Sequence, residues 1–167
     1  FGTDGIRGKA NEKLTPELAY KVGRYLSYKL KVDKDSKFLI GRDTRLSGEM
    51  LESALASGLM ASGLDVDLLD VVVTPLVSHI LKEEDYVGGI MISASHNPYY
   101  DNGLKIMGSD GLKIDSFLQD EVEDYLNGKI EIPYAINDNI GVLKHRKDLV
   151  ESYVDYLKSV FTQDFSK

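Results

Sequence analysis

The sequence predicts an α/β fold, with three α/β/α layers built around a mostly parallel mixed sheet. Short apolar runs typical of buried strands alternate with longer segments whose apolar residues recur at helical spacing. Cap residues and prolines mark where several of the helical segments begin. This strand–helix–strand order predicts right-handed crossovers, which place successive strands in one largely parallel sheet.

Cap residues and prolines give the start of most of the predicted helices. Thr15 is a good N-cap, and Pro16 follows at a position whose N–H has no partner within a helix, so a helix begins here. Ser47, Thr74 and Asp115 are predicted to start three further helices. In chain order the predicted elements are a helix over 15–31, a strand at 38–40, a helix over 47–63, a strand over 66–73, a helix over 74–83, strands over 87–92 and 104–107, a helix over 115–128 and a last helix over 147–161.

The chain is long enough for one domain. Its 167 residues, of which 43% are hydrophobic and 28% charged, are typical of a globular unit with its own core. We therefore predict a single domain over residues 1–167. Within it, residues 129–146 are predicted to form a loop or a short-strand excursion, and residues 162–167 a linker.

The composition excludes several kinds of site and partner. The sequence has no cysteine, which rules out disulfides, thiolate metal sites and a cysteine nucleophile, and which fits a cytoplasmic protein. A formal charge of −7 argues against non-specific binding to nucleic acid. No apolar run approaches the roughly 18 residues of a membrane span. An acidic chain can still bind an anionic substrate where a few lysines and arginines gather.

Most of the polar chemistry lies within residues 88–111, where an apolar strand runs directly into small and polar residues. Ser95, His96 and Asn97 are consecutive, and Lys105 follows on a new strand that could return it to the same place. A hydroxyl, an imidazole, an amide and an ammonium group together suit covalent phosphate chemistry. The composition alone leaves open a capped surface loop with incidental polar residues.

A second segment opens the chain, Phe1-Gly2-Thr3-Asp4-Gly5-Ile6-Arg7-Gly8. Its three glycines allow unusual backbone angles or the close approach of a ligand. Arg7 could present its planar guanidinium to a phosphate. By itself the segment also fits a mobile terminus with a solvated arginine.

A third segment, Gly41-Arg42-Asp43-Thr44-Arg45-Leu46-Ser47-Gly48, lies between a predicted strand and a helix. Such a position can bind anions through free backbone amides. It is not a Walker A loop, because the lysine and the glycine spacing are absent. The preferred interpretation is structural, with Asp43 paired to an arginine and Ser47 capping the helix.

Taken together, the three segments resemble those of a known family. Ser93-Ala94-Ser95-His96-Asn97-Pro98, followed by Asp101-Asn102-Gly103-Leu104-Lys105, resembles the phosphoserine loop of the α-D-phosphohexomutases, and the other two segments match in the expected order. That family includes phosphoglucomutases, phosphomannomutases and phosphoglucosamine mutases. The residues around Asp4 and those after Pro98 are most similar to the phosphoglucosamine mutase branch of the family.

The resemblance implies a fold and a reaction. The chain would be the first, phosphoserine-bearing domain of a four-domain enzyme, whose remaining domains are its partners. The serine matching Ser95 would give its phosphoryl group to a hexosamine phosphate and recover the other phosphate from the bisphosphate formed, converting glucosamine 6-phosphate to glucosamine 1-phosphate. Mannose or glucose phosphates are the alternative substrates, and a non-catalytic binding module is the alternative function.

The resemblance also implies the site residues. The predicted catalytic residues are Ser95, His96, Lys105 and Arg7, and the predicted substrate-binding residues are Thr3, Arg7, Asn97 and Lys105. One Mg²⁺ ion is expected to bind the phosphate on Ser95, with most of its ligands in a later domain. The Asp-rich loop that holds this ion in the family is not found in the chain.

Overall fold

The computed structural model describes residues 5–161, which form one mixed six-stranded sheet flanked by helices. In chain order the elements are β1 (Ile6–Lys9), α1 (Pro16–Leu30), β2 (Lys37–Arg42), α2 (Gly48–Ala61), β3 (Asp65–Val71), α3 (Thr74–Glu83), β4 (Gly88–Ile92), β5 (Asp101–Gly108), α4 (Ser116–Leu126), a short 3₁₀ helix (Asn137–Asn139), β6 (Leu143–His145) and α5 (Lys147–Val160).

The strand order is β1-β5-β4-β2-β3-β6. Strands β4, β2, β3 and β6 run parallel to one another, as expected for strand–helix–strand units. Strand β5 runs antiparallel to both of its neighbours, β1 and β4, which makes the sheet mixed. The predicted α/β class with a mostly parallel mixed sheet is therefore confirmed.

Each face of the sheet has its own apolar core, because alternate residues of a strand point to opposite faces. Phe38 and Ile40 of β2 lie in the larger core with α1, α2 and α4, whereas Leu39 between them lies in the smaller core with α3 and α5. On β5, Leu104 belongs to the larger core and Met107 to the smaller one. The three predicted layers are thus α1, α2 and α4, then the sheet, then α3 and α5.

Two of the four predicted caps are confirmed. The Thr15 side chain accepts a hydrogen bond from Leu18 N at 3.2 Å, and Asp115 accepts one from Leu118 N at 2.8 Å. Both hydroxyl and carboxylate caps satisfy a backbone donor that the first helical turn leaves open.

The other two predicted caps differ from the expectation in part. Ser47 is the N-cap residue of α2, as predicted, but its side chain makes no capping bond, and its hydroxyl instead accepts a hydrogen bond from Asn102 Nδ2 at 3.0 Å. Helix α3 spans Thr74–Glu83, as predicted, but Thr74 is its first residue and Val73 is the N-cap. Val73 takes the extended backbone conformation of an N-cap but has no side-chain acceptor to offer.

Strand β1 was not predicted. The glycine-rich start of the chain shows no apolar alternation, yet Ile6–Lys9 pairs antiparallel with β5. The expected excursion at 129–146 does contain a short strand, β6, which extends the sheet beyond β3. No helix within residues 5–161 combines the length and apolar character that crossing a membrane requires.

A partly buried polar cluster joins the connection between β6 and α5 to β3. Tyr86 donates a hydrogen bond of 2.6 Å to Asp67 Oδ2, and Arg146 Nη1 donates one of 3.0 Å to the same oxygen. Arg146 also forms an ion pair with Asp148 in the first turn of α5. Because Asp67 is buried on β3, this network joins β3 to the connection between β6 and α5.

Candidate active site

The candidate site lies at the edge of the sheet where β2 and β4 end. These strands are parallel neighbours, so the segments that follow them leave the sheet side by side. Asp43 N donates a hydrogen bond to Ile92 O at 3.0 Å, and Ser93 N donates one to Gly103 O at 2.9 Å. The loop after β4, residues 93–100, is thereby held between the 41–48 segment and the start of β5.

Ser93 and Ser95 have different surroundings in this loop. Ser93 is buried, and its hydroxyl accepts a hydrogen bond of 3.0 Å from Ser95 N. Ser95 is exposed and has a φ of 55°, in the left-handed region that costs a non-glycine residue about 1–2 kcal/mol. Ser95 is therefore accessible to solvent, whereas the Ser93 hydroxyl is used in a hydrogen bond within the loop.

Lys105 contacts the Ser95 hydroxyl directly. Lys105 pairs with Met91 of β4 and, by strand alternation, points to the same face as Met107. Its Nζ donates a hydrogen bond of 2.6 Å to Ser95 Oγ. The sequence-based expectation that a new strand could return Lys105 to the serine is therefore confirmed.

Arg7 lies on the same side of the sheet. It pairs with Gly103 across the β1–β5 ladder, two residues before Lys105. A Cβ atom at Gly103 would lie 2.8 Å from Ser93 O and 3.1 Å from Arg7 Cγ, so the glycine makes room for the arginine beside the serine loop. Ser95, Lys105 and Arg7 line one open cavity of about 240 Å³.

Lys113 lines the same cavity and was missed in the sequence. The chain turns back after β5, and Lys113 forms an isolated antiparallel bridge with Met107. Gly111 in this turn has a φ of 71°, and its carbonyl accepts a hydrogen bond of 2.8 Å from Ser78 Oγ on α3. The glycine-bounded stretch before Lys113 was the available signal, since such turns return a chain alongside the preceding strand.

The other predicted site residues are placed differently. His96 is exposed next to Ser95 and is not among the residues that line the cavity. Asn97 Nδ2 donates a hydrogen bond of 3.1 Å to Asp101 Oδ2, so this amide closes the loop. Thr3 lies outside the described residues.

The 41–48 segment has the structural role that the sequence favoured, at least in part. Asp43 forms an ion pair of 2.9 Å with Arg45, which confirms the expected pairing. The sequence did not reveal that the Arg45 guanidinium also reaches the backbone of the serine loop.

The electrostatics of the cavity are opposite to those of the whole chain. Three basic side chains, Arg7, Lys105 and Lys113, surround an exposed hydroxyl on a protein of formal charge −7. Basic groups gathered in a concave site attract anions and form strong charge-assisted hydrogen bonds with phosphate oxygens. The arrangement can therefore bind a phosphate and stabilise negative charge on a group attached to Ser95 Oγ.

The predicted Mg²⁺ ion does not fit these residues by themselves. Between residues 5 and 161 there is no group of three or more His, Asp or Glu side chains able to hold a metal ion. The charged residues lining the cavity beside Ser95 are cations, which repel a metal ion. This part of the chain thus offers no metal cage of its own.

A family comparison matches most of the chain. Residues 1–132 match the model of the phosphoglucomutase/phosphomannomutase α/β/α domain I. The chain belongs to the phosphoglucomutase/phosphomannomutase family. Strand β6 and helix α5 lie beyond the matched residues but continue the same fold, since β6 extends the sheet.

Relatives of this family member cover nearly the whole chain. A phosphoglucosamine mutase from Bacillus cereus (strain ATCC 10987 / NRS 248) is 46% identical over 168 residues, which is 99% of this chain and 38% of the relative. The chain thus spans little more than a third of the length of the curated relatives it matches.

Solved structures show the same fold. The crystal structure of a phosphoglucomutase/phosphomannomutase family protein from Burkholderia thailandensis superposes with a TM-score of 0.79 at 24% identity, covering 96% of this chain and 36% of that chain. A crystal structure from Thermus thermophilus gives a TM-score of 0.78 at 28% identity, covering 95% of this chain and 35% of that one.

Proposed function

We propose that this chain is the phosphoserine-bearing domain of a phosphoglucosamine mutase and that Ser95 carries the phosphoryl group. The observation that supports this most is the hydrogen bond of 2.6 Å from Lys105 Nζ to Ser95 Oγ, in a cavity lined by two further cations. The 46% identity to a relative named phosphoglucosamine mutase supports the choice of substrate. Ser93 is the weaker candidate, because its buried hydroxyl already accepts a hydrogen bond from Ser95 N.

The reaction moves one phosphoryl group at a time. The P–O bond at Ser95 breaks as the C1 hydroxyl of glucosamine 6-phosphate attacks phosphorus, which forms glucosamine 1,6-bisphosphate, and the C1 hydroxyl proton is replaced by a proton gained on the freed Ser95 oxygen. The bisphosphate then turns around, and Ser95 Oγ takes the phosphoryl group from the C6 oxygen, giving up its proton as the C6 oxygen gains one. Glucosamine 1-phosphate leaves, and the enzyme regains its phosphoserine.

The basic residues have electrostatic roles in this proposal. Phosphoryl transfer depends on positioning and on the neutralisation of spreading negative charge. Lys105 and Arg7 would hold the phosphoryl oxygens at Ser95, and Lys113, which the cavity adds to the predicted set, would contact the same group.

The remaining predicted residues complete the proposal. His96, exposed beside the serine, would exchange a proton with the sugar hydroxyl when substrate approaches from solvent. Thr3 and Asn97 are kept as proposed substrate contacts, and the Asn97 amide also donates a hydrogen bond to Asp101 within the loop.

Most ligands of the ion are expected outside this chain. This chain would contribute one Mg²⁺ ligand, a phosphoryl oxygen on Ser95, and the ion would offset phosphoryl charge when bound. The other ligands and the sugar contacts would lie in the part of the curated relatives that this chain does not cover. A cytoplasmic location and a single domain over 1–167 stay predictions.

The test uses the full-length enzyme and two matched serine variants. Peptide mapping by mass spectrometry should find phosphate on Ser95, and Ser95→Ala should abolish the conversion of glucosamine 6-phosphate in a coupled assay. Ser93→Ala should retain phosphate on Ser95. Phosphate on Ser93 alone, or full activity of Ser95→Ala, would refute the proposal, and faster turnover of mannose or glucose phosphates would favour the alternative substrates.

A further inference from the structure

The guanidinium of Arg45 uses all five of its N–H donors on the serine loop and its own segment. Arg45 is nearly buried, with 9% of its side chain exposed. The acceptors and distances are Asp43 Oδ2 at 2.9 Å for Nε, Pro98 O at 2.6 Å and Asp101 O at 2.9 Å for Nη1, and Ser95 O at 2.9 Å and Asn97 O at 3.1 Å for Nη2. An arginine has five donors in a fixed plane, so none is left over.

Four of these acceptors are backbone carbonyls of one short segment, residues 95–101. Carbonyl oxygens that converge on one point repel one another unless a cation lies between them. Arg45 therefore holds these four carbonyls together and ties the loop to the segment that follows β2. Its charge also offsets four partial negative charges that would otherwise oppose a phosphoryl group on the same loop.

The loop needs such a restraint at Ser95 in particular. The left-handed backbone of Ser95, with a φ of 55°, persists only where its surroundings hold it. Ser93 Oγ accepts the Ser95 N–H, and Arg45 Nη2 donates to the Ser95 carbonyl. Both backbone polar groups of Ser95 are thus held, and the hydroxyl between them is directed to Lys105.

We propose that Arg45 is the positioning residue of the serine loop, which keeps Ser95 Oγ in reach of the cations of the cavity through both phosphoryl transfers. Arg45 acts through the backbone of residues 95–101 and does not line that cavity. The inference rests on the proposed function, and it adds a role that the motif alone did not indicate.

Arg42 provides a matched control in the same motif. Its side chain is similarly covered, with 12% exposed, and it pairs with Glu52 at 3.0 Å and Glu49 at 3.0 Å. Within the described part of the chain, its hydrogen bonds go to these carboxylates and not to the serine loop. A lysine could keep an ion pair at either arginine, but it cannot span four carbonyls as the planar guanidinium does.

The experiment compares Arg45→Lys with Arg42→Lys in the full-length enzyme. Arg45→Lys should lower kcat by about 10²-fold with a much smaller change in KM, because loosening the nucleophile affects the transition state more than ground-state binding. Hydrogen exchange should quicken over residues 93–101, and the melting temperature should stay close to that of the wild type. Arg42→Lys should change neither kcat nor exchange in this segment.

Asp43→Asn is a second variant that leaves Arg45 in place and weakens its Nε contact, so it should show a smaller fall in kcat in the same direction. Wild-type kcat and exchange in Arg45→Lys, or a loss of kcat matched by lost folded protein, would overturn the proposal. Absence of phosphate from Ser95 in the wild-type enzyme would instead refute the proposed function, and exchange over residues 93–101 would still decide whether Arg45 restrains the loop.

Discussion

Lys105 Nζ lies 2.6 Å from Ser95 Oγ, although ten positions separate the two residues. The antiparallel register of β4 and β5 accounts for this contact. Strand β5 returns along β4, so that Lys105 pairs with Met91 near the end from which the serine loop departs. An ammonium group at hydrogen-bonding distance from an exposed hydroxyl is suited to hold a phosphoryl group transferred to that oxygen.

Loss of either neighbouring cation should slow catalysis without unfolding the protein. In the full-length enzyme, Lys105→Ala or Arg7→Ala should lower kcat by about 10²-fold or more, the usual scale for removing one electrostatic stabiliser. Steady-state kinetics with glucosamine 6-phosphate measure this effect, and thermal melts check the fold. Lys9→Ala is the control, because Lys9 lies on β1 with Arg7 but pairs with Glu12 outside the cavity. Near-wild-type kcat in both cavity variants would contradict the assignment.

Lys113 should contribute to the same phosphate. Lys113→Ala in the full-length enzyme should lower kcat/KM by about tenfold or more, the effect of removing one charge-assisted hydrogen bond. Lys129→Ala removes an exposed lysine that pairs with Asp124 on α4, and it should have no effect. Equal kinetics for the two variants would exclude Lys113 from the site.

The isolated chain should fold but should not turn over substrate. Two apolar cores, one on each face of the sheet, supply the buried surface that a stable domain needs. The described residues offer no metal cage, and under the proposed function this domain would provide one wall of the substrate cleft. Circular dichroism with a cooperative melt tests folding, and a coupled assay with glucosamine 6-phosphate, Mg²⁺ and catalytic glucosamine 1,6-bisphosphate tests turnover. Activity at even a few per cent of the intact enzyme would show that the site is more complete than proposed.

Stability should fall in alkali because of Tyr86. Burial raises the pKa of the Tyr86 hydroxyl above its ordinary value of 10.0, and the hydrogen bond to Asp67 and the charge of Asp67 raise it further. Below that ordinary value Tyr86 is protonated in both folded and unfolded chains, so its contribution is complete. Above it the unfolded chain loses the proton first, and the free energy of unfolding falls as pH rises, by up to about 1.4 kcal/mol per pH unit.

Urea unfolding between about pH 8 and pH 11 measures this slope. Tyr86→Phe should lower stability near neutral pH by about 1 kcal/mol through the lost hydrogen bond and should flatten the alkaline slope. Tyr99→Phe, at an exposed tyrosine, should leave the slope as it is. An unchanged slope in Tyr86→Phe would assign the alkaline loss to other groups.

Local sequence patterns were enough to predict the fold class, most of the elements and the family. Helical periodicity, the caps at Thr15 and Asp115 and the apolar runs are local features, because each depends on residues within a turn or a strand of one another. The loop that resembles the family's phosphoserine loop was also recognisable, since its residues are contiguous. Local pattern could not predict β1, whose four residues become a strand only by pairing with β5.

The distant residues that surround Ser95 became visible only in the folded chain. Lys113 enters the cavity through a turn anchored on α3, and Arg45 reaches the serine loop from the end of a neighbouring strand. Ser47 is the N-cap residue of α2, but its side chain makes no capping bond for a similar reason, since its hydroxyl accepts a hydrogen bond from Asn102 instead. Each of these contacts joins residues more than thirty positions apart. Strand order and register, which no local spacing encodes, bring such residues together.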